Sequence, residues 1–254
     1  MKTLKLLIAV IMGVTFFNVN SLSAQNADSI MKKVDNRTTP KDMKSQMKMN
    51  LVNSKHETTQ KTMKCFMKGD DKMMIFFQSP ADVKGSSFLK ISHDDKDDDM
   101  WVYLPALGKV RRIASNQKNG SFMGSDFTYE DMGDRNLNDY TYAYVKTETY
   151  SGVQCYVIKS TPKTGVTSDY SSIYSWIRTD NYFPIKETYY NKTGMLTKTK
   201  TVELTVSGTY YIPKKITMYD LKAYHATEIV FSDIVVDSGV DATMFDQNNM
   251  TKVY

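Results

Sequence analysis

Residues 100–113 read MWVYLPALGKVRRI, and the fold turns on how they are arranged. Met100, Val102 and Leu104 alternate with other side chains, as do the residues from Val110 to Ile113, which is the period of a strand. The intervening PALG supplies a proline and a glycine, so the stretch predicts a hairpin closed by a four-residue loop. In that register Leu104 faces Lys109, Tyr103 faces Val110, Val102 faces Arg111 and Trp101 faces Arg112. The two arginines then lie on opposite faces. Arg112 falls beside the Trp101 indole, a cation–π arrangement worth roughly 0.5–2 kcal/mol. Arg111 shares the apolar face with Met100, Val102, Leu104 and Ile113, where a guanidinium needs an anion. The expectation is a latch from Arg111 to Asp126, Glu130 or Asp131 in SDFTYED. A lipid head group, or solvation of both arginines at a rim, are the alternatives.

The same alternation runs outward in both directions. KDMKSQMKMNL (41–51) sets Met43, Met47, Met49 and Leu51 against Lys44, Gln46 and Lys48, and KTMKCFMKGDDKMMIFFQ (61–78) reads as a hairpin about GDD. Further strands are predicted over 86–92, 139–148, 153–160, 172–179, 184–190, 195–206, 209–219 and 224–235. About ten to twelve antiparallel strands follow, joined by tight loops such as NKTG (191–194) in a meander that must close or curl to bury one face. A short helix over 29–35, capped by Asp28, precedes them. Residues 114–138 lack alternation, carry three glycines and several aromatics, and read as a lid over the mouth of a curved sheet, with one helical turn near 126–132.

The first residues have the layout of a cleavable signal peptide: Lys2 and Lys5, an apolar run over 6–17, then Ser21, Ser23 and Ala24. That run is too short for a membrane span, which needs roughly 20 residues. Export to the periplasm and a single domain over 25–254 are the expectations. The net charge of +5, lowered by removal of Lys2 and Lys5, gives no argument for nucleic acid, because the lysines are spread along strands. Cys65 and Cys155 each fall on an inward parity. An exported protein permits a disulfide between them; two buried free thiols are the other reading.

Enzymatic patterns are missing. The three histidines, His56, His93 and His225, stand far apart in the sequence and in no nucleophile or zinc spacing, and no phosphate-binding glycine pattern occurs, so neither catalysis nor a cofactor is expected. The run HDDKDDD (93–99) opens like a calcium loop from Asp95, but Met100 stands where the sixth-position glycine is required and Ala106 where the chelating glutamate belongs. It reads as a solvated acidic turn. The 17 methionines raise copper, yet they follow strand alternation among Leu, Ile and Phe, so core or an adaptable cavity surface fits better and no metal site is assigned. Met47, Met49, Leu51, Met63, Met67, Met74 and Phe76 are the expected lining of an apolar cavity, with Met73, Ile75 and Phe77 competing for the inward face.

WVYLPALGKVRRI together with GSFMGSDFTYEDM closely resembles, over about residues 84–133, the LolA-like periplasmic family of outer-membrane lipoprotein-sorting proteins. The resemblance implies a mainly β fold, an incomplete antiparallel barrel with helices on its open side, and an apolar cavity for the acyl chains of lipoproteins or lipids. It implies no enzymatic activity; an inner-membrane transporter and an outer-membrane acceptor are the partners it suggests. The rival reading is a structural or envelope-assembly module whose interior its own side chains fill, and a periplasmic metal carrier is the third. Interior volume separates the first two.

Overall fold

A computed structural model describes residues 19–252 except Asp95, with side chains from Ala27 onward. The signal-peptide expectation therefore falls mostly outside the described residues. A helix, α1 (Val19–Asp35), is followed by β1 (Asp42–Val52), β2 (Thr58–Lys68), β3 (Lys72–Ser79), β4 (Ser87–Ile91), β5 (Asp99–Leu104) and β6 (Lys109–Arg112). After a short helix α2 (Tyr129–Met132) come β7 (Tyr140–Tyr150), β8 (Val153–Pro162), β9 (Tyr170–Arg178) and β10 (Pro184–Asn191). The last strands are β11 (Leu196–Ser207), β12 (Tyr210–Asp220) and β13 (His225–Val236). α1 begins earlier than the sequence suggests, and Asp28 lies inside it instead of capping it.

All thirteen strands form one antiparallel sheet in the order β6-β5-β4-β3-β2-β1-β13-β12-β11-β10-β9-β8-β7. The count exceeds the ten to twelve expected. The chain is not one meander either: two meanders are welded where β1 pairs β13, Met49 opposite Ile229 and Leu51 opposite Thr227. The sheet is open, with β6 and β7 as its edges. The β5–β6 hairpin has the expected register, Trp101 opposite Arg112 and Val102 opposite Arg111. Its loop is a 3-10 turn, Pro105–Leu107, ended by Gly108 at φ 61, a left-handed conformation that favours glycine.

One face curls inward. Phe88 of β4 and Tyr189 of β10 stand far apart in strand order yet share one buried cluster with Met47, Met49, Met63, Ile75, Phe77 and Ile229. On the same face Ile158 and Ile177 pack with Ala27 and Ile30 of α1. The opposite, convex face carries a second cluster in which Met74, Phe76 and Leu89 lie under Val240, Phe245 and Met250 of the C-terminal segment. β3 is therefore apolar on both faces because it serves two cores.

The two cysteines point to opposite faces. Cys65 pairs across the strands with Ser45 and Ile75 on the concave side, whereas Cys155 lies three residues from Ile158 and so faces out. Both are free and buried, and burial pushes the Cys65 thiol up to about 12. Neither thiol should react with an aromatic disulfide reagent in the native protein, and both should react once it is unfolded. A thiol titration with and without denaturant checks this.

Candidate functional site

The concave face has two halves. Cross-strand pairing builds the apolar half in rows, one running Phe231–Met47–Met63–Phe77 and the next Ile216–Ile229–Met49–Lys61. Over these rows lies the segment 113–139, which connects the two open edges. Phe122, fully buried, is inserted among Phe88, Tyr129 and Phe77, with ring centroids 5.0, 5.8 and 6.3 Å away. Phe127, Met123 and Met132 join the same cluster. The hollow that alternation provides is thus filled by a segment that contributes no strand to the sheet.

Polar ties hold that segment. Thr128 caps α2: its hydroxyl accepts from the Asp131 amide at 3.1 Å and its own amide donates to the Asp131 carboxylate at 2.8 Å. Asp131 also accepts from Lys198 at 3.0 Å and from the Tyr170 hydroxyl at 2.8 Å. Glu130 accepts from the Ser168 hydroxyl at 2.5 Å and the Asp169 amide at 2.9 Å. Asp126 is joined to Thr227, whose hydroxyl accepts from its amide at 2.9 Å and donates to its carboxylate at 2.7 Å. Farther along, Arg135 pairs with Glu187, a fully buried carboxylate that also takes Lys200 at 2.5 Å, the Tyr189 hydroxyl at 2.7 Å and the Ser175 hydroxyl at 2.9 Å. Lys90 meets Asp134 at 2.8 Å. Small polar clefts of about 70 and 50 Å³ flank Arg135.

The structure redistributes the residues that sequence singled out. Met47, Met49 and Met63 lie in the concave cluster, with Leu51 and Met67 packed at its margin. Met74 and Phe76 belong to the convex cluster, because Met63 opposes Phe77 and Cys65 opposes Ile75, which sends the alternate β3 residues outward. The latch from Arg111 is not formed. Arg111 is exposed, while Asp126, Glu130 and Asp131 are engaged by Thr227, Ser168, Lys198 and Tyr170. Arg112 gives its charge to Asp99 instead of the Trp101 ring, and Trp101 packs against the convex cluster.

The acidic run is not simply solvated. Asp97 accepts from Ser115 at 2.7 Å and pairs with Lys118 at 3.3 Å, Asp98 accepts from the Asp134 amide at 2.7 Å, and Asp99 is shared by His93, Lys96 and Arg112. Reading by alternation missed Glu187, Lys198, Lys200 and Lys61. The available signal was parity: Glu187 sits between Ile185 and Tyr189 on one strand face, an inward place for a carboxylate.

A strongly curved open antiparallel sheet with a separate segment filling its concave face defines the class of protein. A family model described only as that of an uncharacterized protein matches residues 69–252. A domain from Vibrio parahaemolyticus described as outer membrane lipoprotein-sorting superposes with a TM-score of 0.85 at 30% identity, covering 90% of this chain and 100% of that one. A DUF1329 family protein from Desulfovibrio piger gives a TM-score of 0.84 at 28% identity, covering 90% of this chain and 99% of that one. The LolA superfamily protein NE2245 from Nitrosomonas europaea shares the fold at 21% identity, with a TM-score of 0.67 over 89% of this chain and 98% of that one. No curated protein matches. The chain belongs to the same family as the Vibrio outer-membrane lipoprotein-sorting domain, and its fold is LolA-like.

Two outcomes follow from the ties. Glu187→Gln leaves the partly exposed Arg135 and Lys200 facing a neutral amide and should cost about 1–3 kcal/mol in denaturant unfolding. Arg111→Ala should leave hydrogen exchange over 120–133 unchanged, whereas Asp131→Asn, which removes the Lys198 pair, should raise it.

Acid should not loosen the segment at first. Burial pushes Asp98, Asp126 and Glu130 upward, so the stability they contribute is present at low pH and lost as pH rises through their raised values. For Glu187 burial acts upward too, but Arg135 and Lys200 outweigh it and hold the carboxyl far below the usual range. Its contribution is present above the ordinary glutamate value and is lost only as pH falls through the depressed one. The thermal midpoint at about pH 5 should be no lower than at about pH 7.

Proposed function

We propose that this chain is a non-enzymatic periplasmic carrier, a single domain over 25–254, that receives the acyl chains of lipoproteins or lipids on its concave face when the 113–139 segment lifts. The observation that carries the reading is the nature of the filling. Phe122 and its neighbours occupy a methionine-rich surface, yet beyond the Ile113 amide, which donates to the Met100 carbonyl at its root, their segment makes no ladder with the sheet, and its one bridge, Ser121 to Thr128, is internal. Lifting it breaks side-chain ties and leaves the thirteen strands paired. Flexible, polarizable methionines then suit a surface that must fit either aromatic rings or acyl chains. An acyl chain gains about 0.8 kcal/mol per buried CH₂ and so can compete with the rings. Family membership and the lipoprotein-sorting description of the Vibrio domain support the same assignment.

In this reading the leader is cleaved near Ala24, and a membrane transporter and an outer-membrane acceptor load and unload the carrier. No helix among the described residues is long and apolar enough to cross a membrane. The filled interior favours a second reading, an envelope-assembly module in which Phe122 is permanent core.

Displacement of a fluorescent fatty acid separates the two. A carrier should show saturable binding, and Phe122→Ala, by weakening the filling, should tighten it several-fold. Absence of binding in both proteins would establish the module and overturn the carrier.

A further inference from the structure

Five cations among the described residues line the concave face beside the methionines, Lys61, Lys90, Arg135, Lys198 and Lys200, and four of these five are paired with carboxylates. Lys90 has Asp134, Lys198 has Asp131, and Lys200 and Arg135 share Glu187. Lys61 is the exception among these. It is buried, 7% exposed, and its ammonium donates to the main-chain carbonyl of Met123, a neutral group. Asp82 acts on it only through space, and burial pulls its proton affinity down. The chain presents that carbonyl through two successive left-handed residues, Met123 at φ 52 and Gly124 at φ 76.

A buried ammonium is costly unless paired. Met123 belongs to the very segment that has to leave for cargo to enter. Once it leaves, Lys61 faces the trough with no partner, and an anion is the group that restores the lost interaction most strongly. Lys61 also stands at the end of an apolar row. Met49, Ile229, Ile216 and Val202 follow it across successive strands, a span of roughly 19 Å at the spacing of paired strands.

We infer that Lys61 is the head-group site of the trough, and that the preferred cargo is an acidic amphiphile, with a carboxylate or phosphate at Lys61 and its acyl chain along the Met49–Val202 row. This rests on the carrier reading and narrows it: a neutral ester would fill the row but leave the ammonium unpaired.

The test uses the purified full chain and three probes of one chain length, dodecanoate, dodecyl phosphate and methyl dodecanoate, each displacing a fluorescent acyl reporter. At least one anion should bind about 10-fold or more tightly than the ester. Which anion does so distinguishes a fatty acid from a phosphate-bearing lipid. Lys61→Met, an apolar replacement of similar length, should reduce anion affinity to that of the ester and leave the ester unchanged. Lys61→Arg should keep the preference, and it is the arm that decides if the methionine variant does not fold. Equal affinity for all three probes in the unmodified protein, or a preference that survives in Lys61→Met, overturns the head-group site and leaves the carrier standing. No binding of any probe removes the carrier reading and the inference with it.

Discussion

The pairing of β1 with β13 is the constraint on which the rest of this structure depends. It joins two meanders that would otherwise end in exposed edges, and it places the middle of the sheet, Met47, Met49, Ile229 and Phe231, at the floor of the concave face. It also decides where the remaining edges are. Because the termini of the strand order are β6 and β7, which are consecutive in sequence, the connection between them has to cross the open side. Residues 113–139 are therefore a cover by topology before any side chain is considered.

What fills the hollow and what holds the filling are chemically different. The aromatic rings of Phe122, Phe127 and Tyr129 satisfy the floor without directional demands, while the carboxylates of Asp126, Glu130, Asp131 and Asp134 fix position through named partners on β4, β11, β13 and the turn before β9. Glu187 extends the same logic from the sheet side, reaching Arg135 of the cover. Apolar contacts can be exchanged for any ligand of suitable shape, whereas each tie has to be broken as a unit and leaves buried charge behind. Such a division makes the position of the cover specific without making it part of the sheet.

Strand existence was legible because alternation is a local signal: β1, the β2–β3 hairpin and the β5–β6 hairpin read directly, the last down to its cross-strand register. The weld of β1 to β13 was not, since nothing in either strand names its distant partner. Facing was ambiguous where both faces are buried. KMMIFF in β3 is apolar at every position from Met73 to Phe77, so parity alone could not show that Met74 and Phe76 serve the convex core under Phe245 and Met250. The charged half of the site was hidden differently. Lys198 and Lys200 alternate with threonines like any solvated strand, and only curvature turns them inward toward Asp131 and Glu187.

The stretch that discloses the family turns out to be the root of the cover. β5 and β6 form the sheet edge from which residues 113–139 depart, and the acidic run before β5 receives both ends of that segment. Asp97 takes Ser115 and Lys118 near its start, and Asp98 takes the Asp134 amide near its end, where Asn136 also donates to the Asp94 carbonyl. Asp99 meanwhile fixes the edge strand itself through Arg112. The arginine expected to rest on the Trp101 ring instead secures the frame on which the cover hangs, and the acids expected to be solvated are the points where it is fastened. Anchored at both ends, that segment keeps its middle, around Phe122 and Met123, over the methionine floor and Lys61.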